Sequence, residues 1–126
     1  MNKIIIRARN AVFEGELDDS DISNSIWLSC PHKLDINMLG GMIYCDMPLD
    51  VVLPKENRTT EMEVGDIAYW PKVGAFCLFF GPTPLSGEDR KPVAPYEMIR
   101  IGRISGDCSE LEDAGDRQRL VIESTF

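Results

Sequence analysis

Residues 68–84 read AYWPKVGAFCLFFGPTP, five aromatic rings and three prolines inside a chain that is otherwise acidic and polar. The heart of the stretch, residues 75–80 (AFCLFF), is apolar at every position, the pattern of a strand covered on both faces. Just before it, residues 65–71 (GDIAYWP) alternate Ile67 and Tyr69 against Ala68 and Trp70. These two runs are expected to form the central strands of the fold, bounded by turns at the flanking glycines and prolines.

Working outward, residues 3–10 (KIIIRARN) and 11–17 (AVFEGEL) alternate apolar and polar positions and predict an opening antiparallel hairpin. Residues 18–31 supply Asp and Ser as N-cap oxygens, place Ile22 and Ile26 four apart and end on Pro31, which predicts one short amphipathic helix. Gly40 and Gly41 stand between two alternating runs and suit a tight hairpin turn. Residues 51–64 read as a loop. Residues 97–104 and 118–125 read as two further strands, joined by SELEDAG (109–115), where Ser109 and Glu112 compose a capping box and Gly115 ends the turn. The tally is eight strands and two short helices in one domain, residues 1–126. Many short strands with little helix predict an all-β, closed eight-stranded barrel, because closure removes exposed sheet edges.

The composition, 44% hydrophobic and 27% charged, is that of a globular protein. A formal charge of −8, with no basic cluster longer than a pair, repels phosphate backbones and anionic membranes, so neither nucleic acid nor membrane is an expected partner. The opening MNKIIIRARN holds only three consecutive isoleucines before an arginine, short of a secretory or membrane-spanning run, and the protein is expected in the cytoplasm. Cys30, Cys45, Cys77 and Cys108 stand far apart with no C-x-x-C, the usage of buried or idle thiols.

Little in the chain points to covalent chemistry. His32 is the only histidine, no further ligands stand near it in sequence, and neither a metal nor a cofactor is expected. Nucleophile-elbow, P-loop and dinucleotide patterns are absent, and the pairs Asp18-Asp19 and Glu112-Asp113 sit at helix ends, where they cap. The aromatic stretch remains, with packing in the core weighed against a binding groove. In a strand Phe76, Leu78 and Phe80 project to one side, Cys77 and Phe79 to the other. We assign Cys77 and Phe79 to the barrel core and the first set to an outer groove, with Trp70 and Thr83 at its rim.

GDIAYWPKVGAFCLFFGPTP (65–84) followed by YEMIRIGRISGDCSELEDAG (96–115) resembles small prokaryotic cyclophilin-like proteins of unknown function, over nearly the whole chain. The resemblance implies the barrel of peptidyl-prolyl isomerases, with AFCLFF as counterpart of the strand that lines their proline pocket. It departs from true cyclophilins at the catalytic arginine: residues 42–52 (MIYCDMPLDVV) offer Tyr44, Cys45, Asp46 and Met47 instead. Isomerisation crosses a barrier of about 18–20 kcal/mol that falls when a donor reaches the prolyl amide, so loss of the arginine removes the main catalytic device. Arg58, Arg90, Arg100 and Arg103 are the candidate substitutes, Arg58 and Arg90 from loops able to fold over the groove.

The expected function is therefore binding of an apolar small molecule or a proline-containing peptide in a groove of Tyr44, Trp70, Phe76, Leu78, Phe80 and Thr83. An atypical prolyl isomerase and an interaction domain of a larger complex are the alternatives.

Overall fold

The computed structural model describes residues 2–9, 11–113 and 118–125. The chain runs β1 (Asn2–Ala8), β2 (Ala11–Leu17), α1 (Asp21–Leu28), β3 (His32–Asp35), β4 (Asn37–Leu39), β5 (Met42–Asp46), β6 (Arg58–Glu61), β7 (Asp66–Trp70), β8 (Ala75–Phe79), β9 (Val93–Ser105), a 3-10 helix (Ser109–Asp113) and β10 (Arg119–Ser124). The fold is mainly β, as the alternation indicates, with ten strands rather than eight. The run after Pro31 is broken by the buried Ile36 into β3 and β4, and Arg58–Glu61 lies inside the segment read as loop. The turn ascribed to Gly115 falls outside the described residues. No described helix is long and apolar enough to cross a membrane.

All strands belong to one sheet, in the order β3-β10-β1-β2-β9-β7-β8-β5-β4, with β6 added to β9. Strands β3 and β4 lie at opposite ends of that order, yet only Ile36 separates them in the chain. The sheet must therefore curl until its two edges meet, as the barrel expectation requires. Ile36 makes the join, its side chain fully buried and its N–H donating to the Gln118 carbonyl at 2.8 Å.

Curling gives the sheet an inner face, where Ile4 and Ile6 of β1, Phe13 and Leu17 of β2 and Leu120 and Ile122 of β10 enter one apolar cluster. Helix α1 adds Ile22 and Ile26 to it. The helix starts where the Ser20 side chain accepts the Ser23 N–H (3.2 Å), steadied by Asp18, whose Oδ1 accepts from both serine hydroxyls at 2.6 Å. At its other end Trp27 donates its indole N–H to the Lys3 carbonyl at 2.9 Å. The 3-10 helix buries Leu111, and its Ser109 N–H is accepted by Asp107 at 2.9 Å.

The hairpin β4–β5 turns on Gly40, at φ +56°, and Gly41. Gly41 is required for a second reason: a Cβ there would lie 2.2 Å from the carbonyl of Gly81. The chain after β8 thereby packs backbone to backbone on the hairpin, and the N–H groups of Phe80 and Gly81 both donate to the Gly41 carbonyl.

Candidate functional site

Every residue of β7 and β8 is buried, so the apolar run is roofed on both faces as its composition requires. Cross-strand pairing sorts the two sets. Tyr69 pairs with Phe76, and Ile67 and Ile43 with Leu78, and these side chains join the inner cluster. Ala68, Trp70, Ala75, Cys77 and Phe79 point outward into a second cluster with Met42, Met62, Ala94 and Met98. This reverses the assignment made from sequence. Phe76 and Leu78 are core at 0% exposure and line no open groove, while Cys77 and Phe79 belong to the outer layer. The two faces of AFCLFF are equally apolar, so alternation separates them without saying which is inside.

The other expected groove residues divide likewise. Phe80 packs on the inner cluster and borders a cleft of about 450 Å3 shared with Gly40, Gly41, Arg90 and Glu112. Thr83 braces the segment between β8 and β9: its hydroxyl donates to the Val93 carbonyl at 2.6 Å and accepts the Leu85 N–H at 3.3 Å. Outside the inner core, Tyr44 and Trp70 come together, edge to face, with ring centres 5.8 Å apart.

They are joined by a residue that the sequence reading left out. Tyr96, near the start of β9 and 51% exposed, stacks on Trp70 at 5.7 Å with the planes 30° apart. Lys72, in the turn between β7 and β8, holds its Nζ 4.8 Å from the centre of the Tyr96 ring. Tyr44, Trp70 and Tyr96 thus form a ledge of three rings at the margin of the outer cluster. Tyr96 escaped notice because the strand was read as starting at Glu97, whereas β9 begins at Val93. A tyrosine directly after Pro95 was the available signal.

At the centre of the ledge Trp70 is 9% exposed, and its Nε1 is buried with no acceptor among the described residues. Other buried polar groups nearby are satisfied: the Tyr69 hydroxyl donates to the Met47 carbonyl at 2.8 Å. An unpaired buried N–H costs about 1–3 kcal/mol, which makes the Trp70 indole the anomalous polar atom of the region.

The arginines are engaged away from the rings. Arg58 donates to the Pro54 carbonyl at 2.8 Å. Arg103 (3.1 Å) and Arg100 (3.7 Å) converge on Asp66, whose side chain is 3% exposed, because a register shift between Ile67 and Ala68 turns both outward from β9. His32 Nε2 lies 3.0 Å from both the Ser29 hydroxyl and the Ile26 carbonyl at the end of α1. Burial pushes the thiols away from nucleophilic use: Cys30 rises to about 11, Cys45 to about 12 and Cys77 further still.

The profile of the family described as Cyclophilin-like matches residues 2–123. Among solved structures, the chain is similar to that of a hypothetical protein, AF2241, from Archaeoglobus fulgidus, determined in solution. The two share 31% identity and a TM-score of 0.74, over 98% of this chain and 95% of the other. Comparison with curated proteins yields no match.

Proposed function

The chain belongs to the cyclophilin-like family, and from that premise we propose that it is a cytoplasmic binding module for proline-containing segments, seated on the Tyr44–Trp70–Tyr96 ledge. The observation that carries the reading is the unpaired Trp70 indole N–H between two further rings. A polyproline II segment exposes its carbonyls and needs little ordering on binding, so aromatic rings take its pyrrolidines while an indole N–H takes a carbonyl. Because Nε1 is buried in the free protein and Tyr96 stacks on the indole face, binding requires the side chains around Trp70 to rearrange.

Binding differs from catalysis in what the site must donate. Acceleration of prolyl isomerisation needs a group that favours the twisted amide over both planar forms, and equal affinity for the two isomers leaves their exchange rate unchanged. The geometry favours binding, since Arg58, Arg100 and Arg103 are held elsewhere and Arg90 borders the cleft beside Phe80.

A protease-coupled assay on a proline tetrapeptide, run beside titration of 15N-labelled protein with decaproline, tests the proposal. The expected result is isomerisation at the uncatalysed rate together with a saturable downfield shift of the Trp70 indole resonance. Clear acceleration would convert the reading to an isomerase. An indole resonance unmoved by decaproline would remove the binding site.

A further inference from the structure

The ledge carries opposite charges at its two ends. Asp46 closes β5; the register sets it opposite Ala75, and Ala75 opposite Trp70, so the three share one row on the outer face. Asp46 is exposed, and no hydrogen bond or ion pair engages its carboxylate among the described residues. Lys72 stands at the other end, over Tyr96.

Two strand spacings of about 4.8 Å separate the Asp46 and Trp70 backbones, roughly 10 Å in all. A polyproline II helix advances about 3.1 Å per residue and has three residues per turn, so side chains three apart point the same way at nearly that distance. A segment with one proline against Trp70 therefore presents its residue three positions along to Asp46. Ala75 lies between them in the row, and Tyr44, two residues before Asp46 on the same face, flanks that row with its ring edge-on to Trp70.

We propose that the ledge selects proline-rich protein segments carrying a basic side chain three residues from the proline held by Trp70, with Asp46 as the group that reads the charge. This rests on the binding-module reading above. Polyproline II is nearly symmetric in its two directions, so both Arg-x-x-Pro and Pro-x-x-Arg orders are admitted. The net charge of −8 favours encounter with such ligands over acidic ones.

The test compares equal-length proline-rich peptides that are neutral, or that carry one arginine either three or two residues from the central proline, titrated into the wild-type chain and Asp46→Asn. The three-residue spacing should bind about two- to fivefold tighter than the neutral peptide, the range of an exposed ion pair. The gain should vanish in Asp46→Asn and fade at about 0.5 M salt, with affinity for the neutral peptide unchanged by the substitution. Equal affinities for the two spacings, or a gain that survives Asp46→Asn, would overturn the selectivity while leaving the module intact if the neutral peptide still binds. Failure of every proline-rich peptide to bind the wild-type chain would overturn the module reading, and the selectivity with it.

Discussion

Replacing Trp70 by phenylalanine separates an unpaired indole from an ordinary core ring. The substitution removes two buried carbons, worth roughly 1.6 kcal/mol at about 0.8 kcal/mol each. A residual void of ~30 Å3 adds about 0.7 kcal/mol at ~24 cal/mol per Å3. Against these losses, the wild-type chain buries an N–H that has no acceptor among the described residues, a burden of about 1–3 kcal/mol that phenylalanine lacks. The terms nearly cancel, so Trp70→Phe should lie within about 1 kcal/mol of wild type despite the near-complete burial of the site. Trp27→Phe is the control. That indole is less buried but donates to Lys3 at 2.9 Å, and its loss should cost about 1–2 kcal/mol, making the more buried tryptophan the cheaper to replace. Urea titrations followed by far-UV circular dichroism give both values by linear extrapolation. A loss above about 2.5 kcal/mol for Trp70→Phe, or a reversed order, would mean that the Trp70 N–H has a native acceptor, and the ledge would lose the observation that carries it. The same variant should lose affinity for decaproline.

Gly41→Ala should cost at least about 3 kcal/mol or prevent folding, since its Cβ meets backbone atoms of Gly81 at 2.2 Å and backbone cannot yield as a flexible side chain does. Gly81→Ala, whose nearest neighbour is 3.8 Å away, should stay within about 1 kcal/mol, and chemical denaturation of the pair shows whether the contact is as close as described. The raised thiols predict an alkaline limit. Cys30 and Cys45 titrate at about 11 and 12 when folded against 9.0 for the free group, so the stability they confer is fully present below pH 9 and is lost as pH rises toward 11–12. Melting temperatures across that range should fall for wild type and fall less for Cys45→Ala; parallel curves would refute the assignment.

Much of the fold was legible because its signals are local. Alternation located β1, β2 and β7, the continuous apolar run located β8, Gly40-Gly41 located the β4–β5 turn, and the Ser20 cap with Pro31 bounded α1. What escaped were features with weak local patterns. Arg58–Glu61 has no apolar face and becomes a strand only because β9 offers it a partner, and a single buried Ile36 divides β3 from β4. Of the candidate site, Tyr44 and Trp70 were found as aromatic residues and do meet. Tyr96 was missed because it lies 26 positions after Trp70 and nothing local links the two.

The amino-acid order alone determined that residues 75–79 form a strand apolar on both sides, that alternate members face opposite ways, and that Gly40-Gly41 turns a hairpin. These follow from the two-residue period of a strand and from the size of a side chain. Only the tertiary structure decided that Phe76 and Leu78 are the inner pair, that Trp70 is bracketed by Tyr44 and Tyr96 with no acceptor among the described residues, and that Asp46 shares its row. The reason is one of parity and register: shifting a pairing by one residue exchanges the two faces of a strand, and that choice is made by the partners it meets across the curled sheet rather than by the strand itself.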